Sequence, residues 1–332
     1  MVAKQKSLNL KSGAATLANL KDGFSAGTFV PLTRGTAYFV DPTNGDNNAS
    51  GTSPEKAVAD IPTAFDLATA NQHDTIFYIA GSSSISLTSQ LVWNKNYTHL
   101  IGIAAPTFSS QRARIFQDSA ATTLSPLINI TASGCIFDNL LIFQGVDDAA
   151  SLLNVQVTGG RNYFHNVHFA GGGHATMAID NCASLMVNGG EENTFHNCKL
   201  GLTTIPLATG GNVLRFDGSA KENEFVDCIL GVLIGNAGAR LVELVDGSAM
   251  DQINWFKNTK FVSNSVNRAT TMASAWEIPS LSGQTALVYM DKDCDGLGFT
   301  DWDDDNRALL FFAGGTITAG GNTGIAQVSN ST

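Results

Sequence analysis

The chain has 332 residues, is 43% hydrophobic and 14% charged, and carries 33 glycines and a formal net charge of −10. That hydrophobic content excludes wholesale disorder, and no apolar run reaches the roughly 18 residues that a membrane-spanning helix needs. The acidic balance argues against nucleic acid as a partner, and five scattered cysteines without CxxC spacing suggest neither a zinc site nor a disulfide framework.

The charge is uneven along the chain. Residues 1–34 hold Lys4, Lys6, Lys11, Lys21 and Arg34 against Asp22, a balance of +4; the remaining 14 cations and 28 anions leave the rest at −14. This segment is rich in Ser, Gly, Ala and Thr and poor in long apolar runs. It reads as an extended arm, residues 1–35, that orders only against something else, with Lys4, Lys6, Lys11 and Lys21 as partner-binding cations. "MVAKQKSLNLKSG" lacks the apolar centre of a secretory signal. Synthesis in a reducing compartment is therefore expected, with the sequons at Asn96 and Asn330 unused.

Residues 36–97 read as a cap. "AYFVDP" is strand-like, "TNGDNNASGTSPE" is turn-rich, "IPTAFDLATAN" is a short amphipathic helix with Pro62 in its first turn, and "DTIFYIAG" is the next strand. An open solenoid end exposes apolar core and unpaired strand edges, which a strand and a helix lying across it would cover.

From residue 98 to 265 the chain repeats. "NYFHNVHF" at 162–169, "NTFHNCKL" at 193–200, "NEFVDCIL" at 223–230 and "NWFKNTKF" at 254–261 share one register, and "CIFDNLLI" at 135–142 is a weaker copy. Their aromatics are Phe137, Phe164, Phe195, Phe225 and Phe256, spaced by 27, 31, 30 and 31 residues. Asn139, Asn166, Asn197, Asp227 and Asn258 follow two residues later; Asn162, Asn193, Asn223 and Asn254 precede by two. Near-constant spacing in this range marks a solenoid, and the period-two apolar pattern broken by Gly-Gly, Asn-Gly and Asp-Gly turns makes each unit two or three short strands. The expected fold is all-β, a single-stranded right-handed parallel β-helix, with equivalent residues about 4.8 Å apart in successive coils. The Phe residues should stack. Asn139, Asn166, Asn197, Asp227 and Asn258 are expected to form one inward amide ladder. Cys198 and Cys228 fall in equivalent slots and are expected to be small buried thiols. Residues 266–332 look less regular, ending in a Gly/Thr/Ser tail.

"FVDPTNGDNNASGTSPEKAVADIPTAFDLA…DTIFYIAGS" resembles the opening module of pectate-lyase-like right-handed β-helices, many tailed-bacteriophage proteins among them, and "THLIGIAAP" at 98–106 resembles the first full coil that follows it. The resemblance covers about residues 36–265. It implies the fold but not an activity, since this fold hosts lyases, hydrolases, tailspikes and inert structural proteins.

Three constellations could carry chemistry. Asp291, Asp293, Asp295 and Gly296 spell D-x-D-x-D-G, the first half of an EF-hand-type calcium loop, but position twelve is Trp302 rather than Glu, with Asp301, Asp303, Asp304 and Asp305 nearby. A structural calcium is the one cofactor the sequence suggests. Asp138, His165 and His196 follow the stacked aromatic in three successive coils and are expected to face outward, either as a proton-transfer set or as plain exposed polar residues; Val226 and Lys257 occupy the next two slots. A hydrolase needs paired carboxylates across a groove. Glu191, Glu192, Glu222 and Asp227 are candidates, the three glutamates beside turns where charge is ordinary. Arg161, Arg215 and Arg240 fall in different registers, and Trp93, Trp255, Trp276 and Trp302 are dispersed. No catalytic residue is assigned.

Two readings follow. The first is a structural virion protein of a tailed phage that decorates and stabilises the capsid surface. It resembles the tailspike-related β-helix cement proteins, which implies a homotrimer, with the arm contacting the major capsid protein or another virion protein. The alternative is a tailspike-like protein that binds or depolymerises polysaccharide. A bacterial carbohydrate-active enzyme is disfavoured by the lack of a signal sequence.

Overall fold

The computed structural model describes residues 35–172, 181–208, 210–279, 286–303, 310–312 and 326–327. Short strands wind around three faces as a right-handed parallel β-helix, each pairing in parallel with its equivalent one coil on. The first face includes Ala37–Val40, Thr75–Ile79, His99–Ile103, the front halves of Ile136–Gln144 and Tyr163–Gly171, then Thr194–His196, Glu224–Val226, Ile253–Lys257 and Leu287–Met290. The second includes Ile85–Leu87, Arg114–Gln117, the back halves of the two long strands, Lys199–Leu200, Ile229–Ile234, Lys260–Ser265 and Asp295–Leu297. The third runs from Leu91–Trp93 to Phe299–Asp303. Regular coiling therefore starts before residue 98 and continues beyond 265: Met272–Glu277, Leu287–Met290 and Phe299–Asp303 extend the faces that the sequence pattern leaves irregular. Ala326–Gln327 pairs antiparallel with Leu310–Phe312.

The helix α1, Ile61–Leu67, is shorter than its sequence pattern, ending where Ala68 turns extended. Asp60 caps its start, accepting from the Thr63 N–H at 2.8 Å. Lys95 caps its end, donating to the carbonyls of Phe65, Asp66 and Ala68. Phe65 then lies 4.4 Å from the Trp93 ring, and the helix seals the apolar column beneath it.

That column is aromatic. The rings of Phe137, Phe164, Phe195, Phe225 and Phe256 stack at 5.0, 4.6, 4.6 and 4.7 Å, within 8° of parallel. All five are buried. In-register parallel pairing forces this, because it sets each ring one strand spacing from the next.

Two asparagine columns flank the rings, and the structure exchanges the role expected of the second. Asn162, Asn193, Asn223 and Asn254, the leading residues of the motif, are the buried ladder. The oxygen of each accepts the backbone N–H of the preceding member, or of Cys135. Their amides donate to Ala132, Gly159, Gly190 and Ala220. Asn139, Asn166, Asn197, Asp227 and Asn258 are instead the corner between first and second faces, with φ of 57°, 50°, 53°, 54° and 44°. Asn and Asp tolerate this left-handed conformation best after glycine, which is why they recur there. Asn139 and Asn166 are buried, while Asp227 and Asn258 are exposed. Side-chain bonds link only parts of this column, Asn166 to Asn139 at 3.0 Å and Asn258 to Asp227 at 2.7 Å.

Candidate functional site

Just before the left-handed corner, the carbonyl of the stacked Phe takes a second, side-chain donor; that of Phe256 also accepts the Asp291 N–H at 3.0 Å. These donors form a column: Cys198, Cys228, Thr259 and Cys294 donate to the carbonyls of Phe164, Phe195, Phe225 and Phe256 at 3.5, 3.2, 3.1 and 3.2 Å. All five cysteines are free thiols. Burial pushes Cys294 up to about 12 and Cys135 to about 11. These thiols are structural donors rather than nucleophiles.

On the first face, Asp138 and His165 do meet. His165 Nδ1 lies 2.8 Å from Asp138 Oδ1, and Asp138 is buried rather than displayed. His196 makes separate contacts, to the Tyr163 hydroxyl at 2.9 Å through Nδ1 and to Asp227 at 3.3 Å through Nε2. A carboxylate only accepts, so the Nε2 of a neutral His196 carries the proton and its Nδ1 accepts from Tyr163. The same rule places a proton on His165 Nδ1 and leaves its Nε2 as a lone-pair acceptor.

Of the candidate carboxylates, Glu191 and Glu192 are tied to cations, as is the neighbouring Glu224, while Asp227 contacts His196 and Asn258. Arg161 contacts Glu192 at 2.5 Å, Lys221 contacts Glu191 at 3.3 Å, and Lys257 contacts Glu224. Glu192, Glu222 and Glu224 face a shallow hollow with Trp255 and Lys257. Trp93 and Trp276 are core residues.

The D-x-D-x-D-G segment does not gather around one point. Asp291 accepts from the N–H groups of Asn258 and Asp293, Asp293 pairs with Lys292, and Asp295 pairs with Lys260 as its strand continues the second face. Among the described residues no three His, Cys, Asp or Glu side chains are grouped to hold a metal ion. These donors do not fit a calcium loop. Asp304, Asp305, Lys4, Lys6, Lys11 and Lys21 lie outside the described residues.

No family model matches the chain, and no curated protein sequence matches it. Solved structures do. A pectin methylesterase described in complex with a hexasaccharide aligns over 85% of this chain and 90% of its own at TM-score 0.52 and 16% identity. The pectate lyase Pel9A aligns over 81% and 80% at 0.48 and 14%, and ORF18 of Geobacillus virus E2 over 83% and 61% at 0.43 and 12%. The neighbours are pectate-lyase-like parallel β-helix proteins, and the likeness is one of fold.

Two further clusters escape the sequence pattern. On the third face Arg215 contacts Glu243 at 2.5 Å and donates to both oxygens of Asn181, at 2.8 and 3.2 Å, while Asn212 donates to Glu243 at 2.5 Å. Burial raises the Glu243 carboxyl against the opposing pull of Arg215. Parallel register brings them together from adjacent coils, 28 residues apart. On the second face, the loop 104–112 climbs across three coils. Gln111 bonds Asn166, the Ser110 N–H donates to His168 Nδ1 at 3.2 Å, and Lys199 reaches Ser109 at 3.0 Å. Between this loop and residues 202–204 lies a cleft of about 350 Å³.

Proposed function

We propose that the chain is a structural virion protein of a tailed phage, a stiff β-helical body that decorates and stabilises the capsid surface and is held there through residues 1–34. The observation that carries this reading is the way the faces spend their charge. Arg161–Glu192, Lys221–Glu191, Lys257–Glu224 and Lys260–Asp295 each join neighbouring coils, so charged side chains brace the rod. The split of +4 against −14 makes the arm a basic segment of an acidic chain, suited to an acidic surface on the major capsid protein or another virion protein. Three arms about a symmetry axis would bind as one unit and offset the entropy each loses on ordering. Deleting residues 1–34 should leave a folded β-helix that no longer attaches to virions. Normal decoration by the truncated protein would discard the reading.

One observation favours a second reading, an enzyme acting on polysaccharide. A buried carboxylate orienting a histidine whose other nitrogen is free is the arrangement of a general base, and Asp138 and His165 have it. If purified protein shortens bacterial polysaccharide and His165→Ala abolishes that, this reading replaces the first.

A further inference from the structure

The second-face cleft is cationic in an acidic protein. Arg112, Arg114 and Lys199 line it and no carboxylate does. None of the three forms an ion pair among the described residues. Arg161, Lys221, Arg215, Lys257 and Lys260 are each matched to an acid on a neighbouring coil, whereas three cations gathered in one cleft without an acid leave room for an anion from outside. The geometry is built rather than accidental. Arg114, Leu141, His168 and Lys199 occupy one outward column through four coils, which sets Arg114 and Lys199 roughly 14 Å apart at the backbone. Both long side chains can reach a point between them. Arg112 is steadied by the Gly81 carbonyl at 3.1 Å, and the Arg114 guanidinium lies over the Phe143 ring at 5.0 Å.

His168, between the cations, adds no charge. Burial pushes it down to about 4, and its two nitrogens are occupied, accepting from Ser110 and donating to the Gly201 carbonyl at 2.9 Å. It latches the loop that forms one wall. The floor is apolar, Leu141 and Phe143, and Thr203 and Thr204 supply hydroxyls at the rim. Cations around an apolar floor with a hydroxyl rim suit an anion carried on a compact body with both apolar and hydroxyl faces, and the volume suits a single sugar ring better than a bare ion.

We propose that this cleft binds a sugar-sized phosphate or sulfate ester, its oxyanion held by Arg112, Arg114 and Lys199 and its ring laid on Leu141 and Phe143. Guanidinium groups bind either oxyanion through paired N–H donors, so the shared chemistry is the tetrahedral ester.

Titration calorimetry of the full chain with glucose 6-phosphate, glucose 6-sulfate, glucose and inorganic phosphate tests this. At least one ester should bind, at least tenfold more tightly than glucose or inorganic phosphate, and the tighter ester identifies the source. Arg112→Gln and Lys199→Gln, at side chains outside the core, should each weaken it at least tenfold while the thermal midpoint stays near that of the parent. Absence of binding by both esters overturns the proposal. So does affinity unchanged in both variants, or inorganic phosphate binding as tightly as the esters.

Discussion

Gln111 reaches across 55 residues of sequence to Asn166, donating its side-chain amide to the backbone carbonyl at 2.8 Å and to the amide oxygen at 3.3 Å. This contact explains why one corner column is buried at one end and exposed at the other. The loop 104–112 lies along the corner beside Asn139 and Asn166 and ends against Lys199. Asp227 and Asn258 lie beyond it. Gln111→Ala removes a buried donor and should cost about 1–3 kcal/mol. Amide exchange across 104–112 should quicken, with the Phe column unaffected. Unchanged exchange in that loop would mean that Gln111 does not clamp it.

Phe195 has a parallel ring at 4.6 Å on each side and is fully buried. Phe195→Ala leaves a cavity inside a stack that cannot close without shifting two coils. The expected cost is about 3–5 kcal/mol in chemical denaturation. A denaturation midpoint equal to that of the parent would contradict the packing.

The two asparagine columns should respond differently. Asn193 is buried and bonds both Asn223 and the Gly159 carbonyl. Asn193→Leu strands buried partners, at about 1–3 kcal/mol for each group left unpaired. The double change with Asn223→Leu should cost less than the sum of the singles, because the pair shares its bonds. Asn258 is exposed at φ 44°, so Asn258→Gly should be near neutral and Asn258→Ala should cost about 1 kcal/mol from backbone strain. Comparable losses at positions 193 and 258 would count against the distinction.

The repeat spacing was enough to read the coil and the register of its aromatics, since parallel pairing turns a sequence period directly into a column. It did not reveal which asparagine faces inward. Both flank the aromatic by two residues, and only backbone dihedrals separate a ladder position from a left-handed corner. Asp291, Asp293 and Asp295 show a second limit. Carboxylates at every second residue suit a cation loop, but they also suit a corner followed by a strand with charge on its solvent side, and the register with Lys260 makes them the latter. Arg215 with Glu243, and Arg114 with Lys199, were hidden because their proximity depends on coil lengths that vary outside the motif.

The donor column behind the rings has a substitution test. Cys228 sits one coil from Thr259, which makes the equivalent bond with a hydroxyl. Cys228→Ser should therefore be tolerated, whereas Cys228→Val removes the side-chain donor to the Phe195 carbonyl and should cost about 0.5–1.5 kcal/mol. Thermal unfolding of the two variants side by side decides it. A serine variant as unstable as the valine one would show that packing, not the hydrogen bond, governs the slot.

Acid should weaken the fold in a defined window. Burial holds His99 and His168 down to about 4, His73 adding to the effect at His99 and Lys199 at His168, while Asp74 and the Gly201 carbonyl oppose it. In the unfolded chain each titrates near 6.5. Between these values the unfolded state binds more protons, so stability is full above about pH 6.5, falls as pH drops toward 4, and levels off below it as far as these two groups are concerned. The limit is about 3 kcal/mol for each histidine, taking roughly 1.4 kcal/mol per pH unit. Protonated His168 can no longer accept from Ser110, so the loop 104–112 should release first, seen as faster exchange there before global unfolding. His168→Gln should shed about half of the pH dependence in that window. A denaturation free energy that stays constant from pH 7 to 4.5 would show that these histidines are not held neutral by the fold.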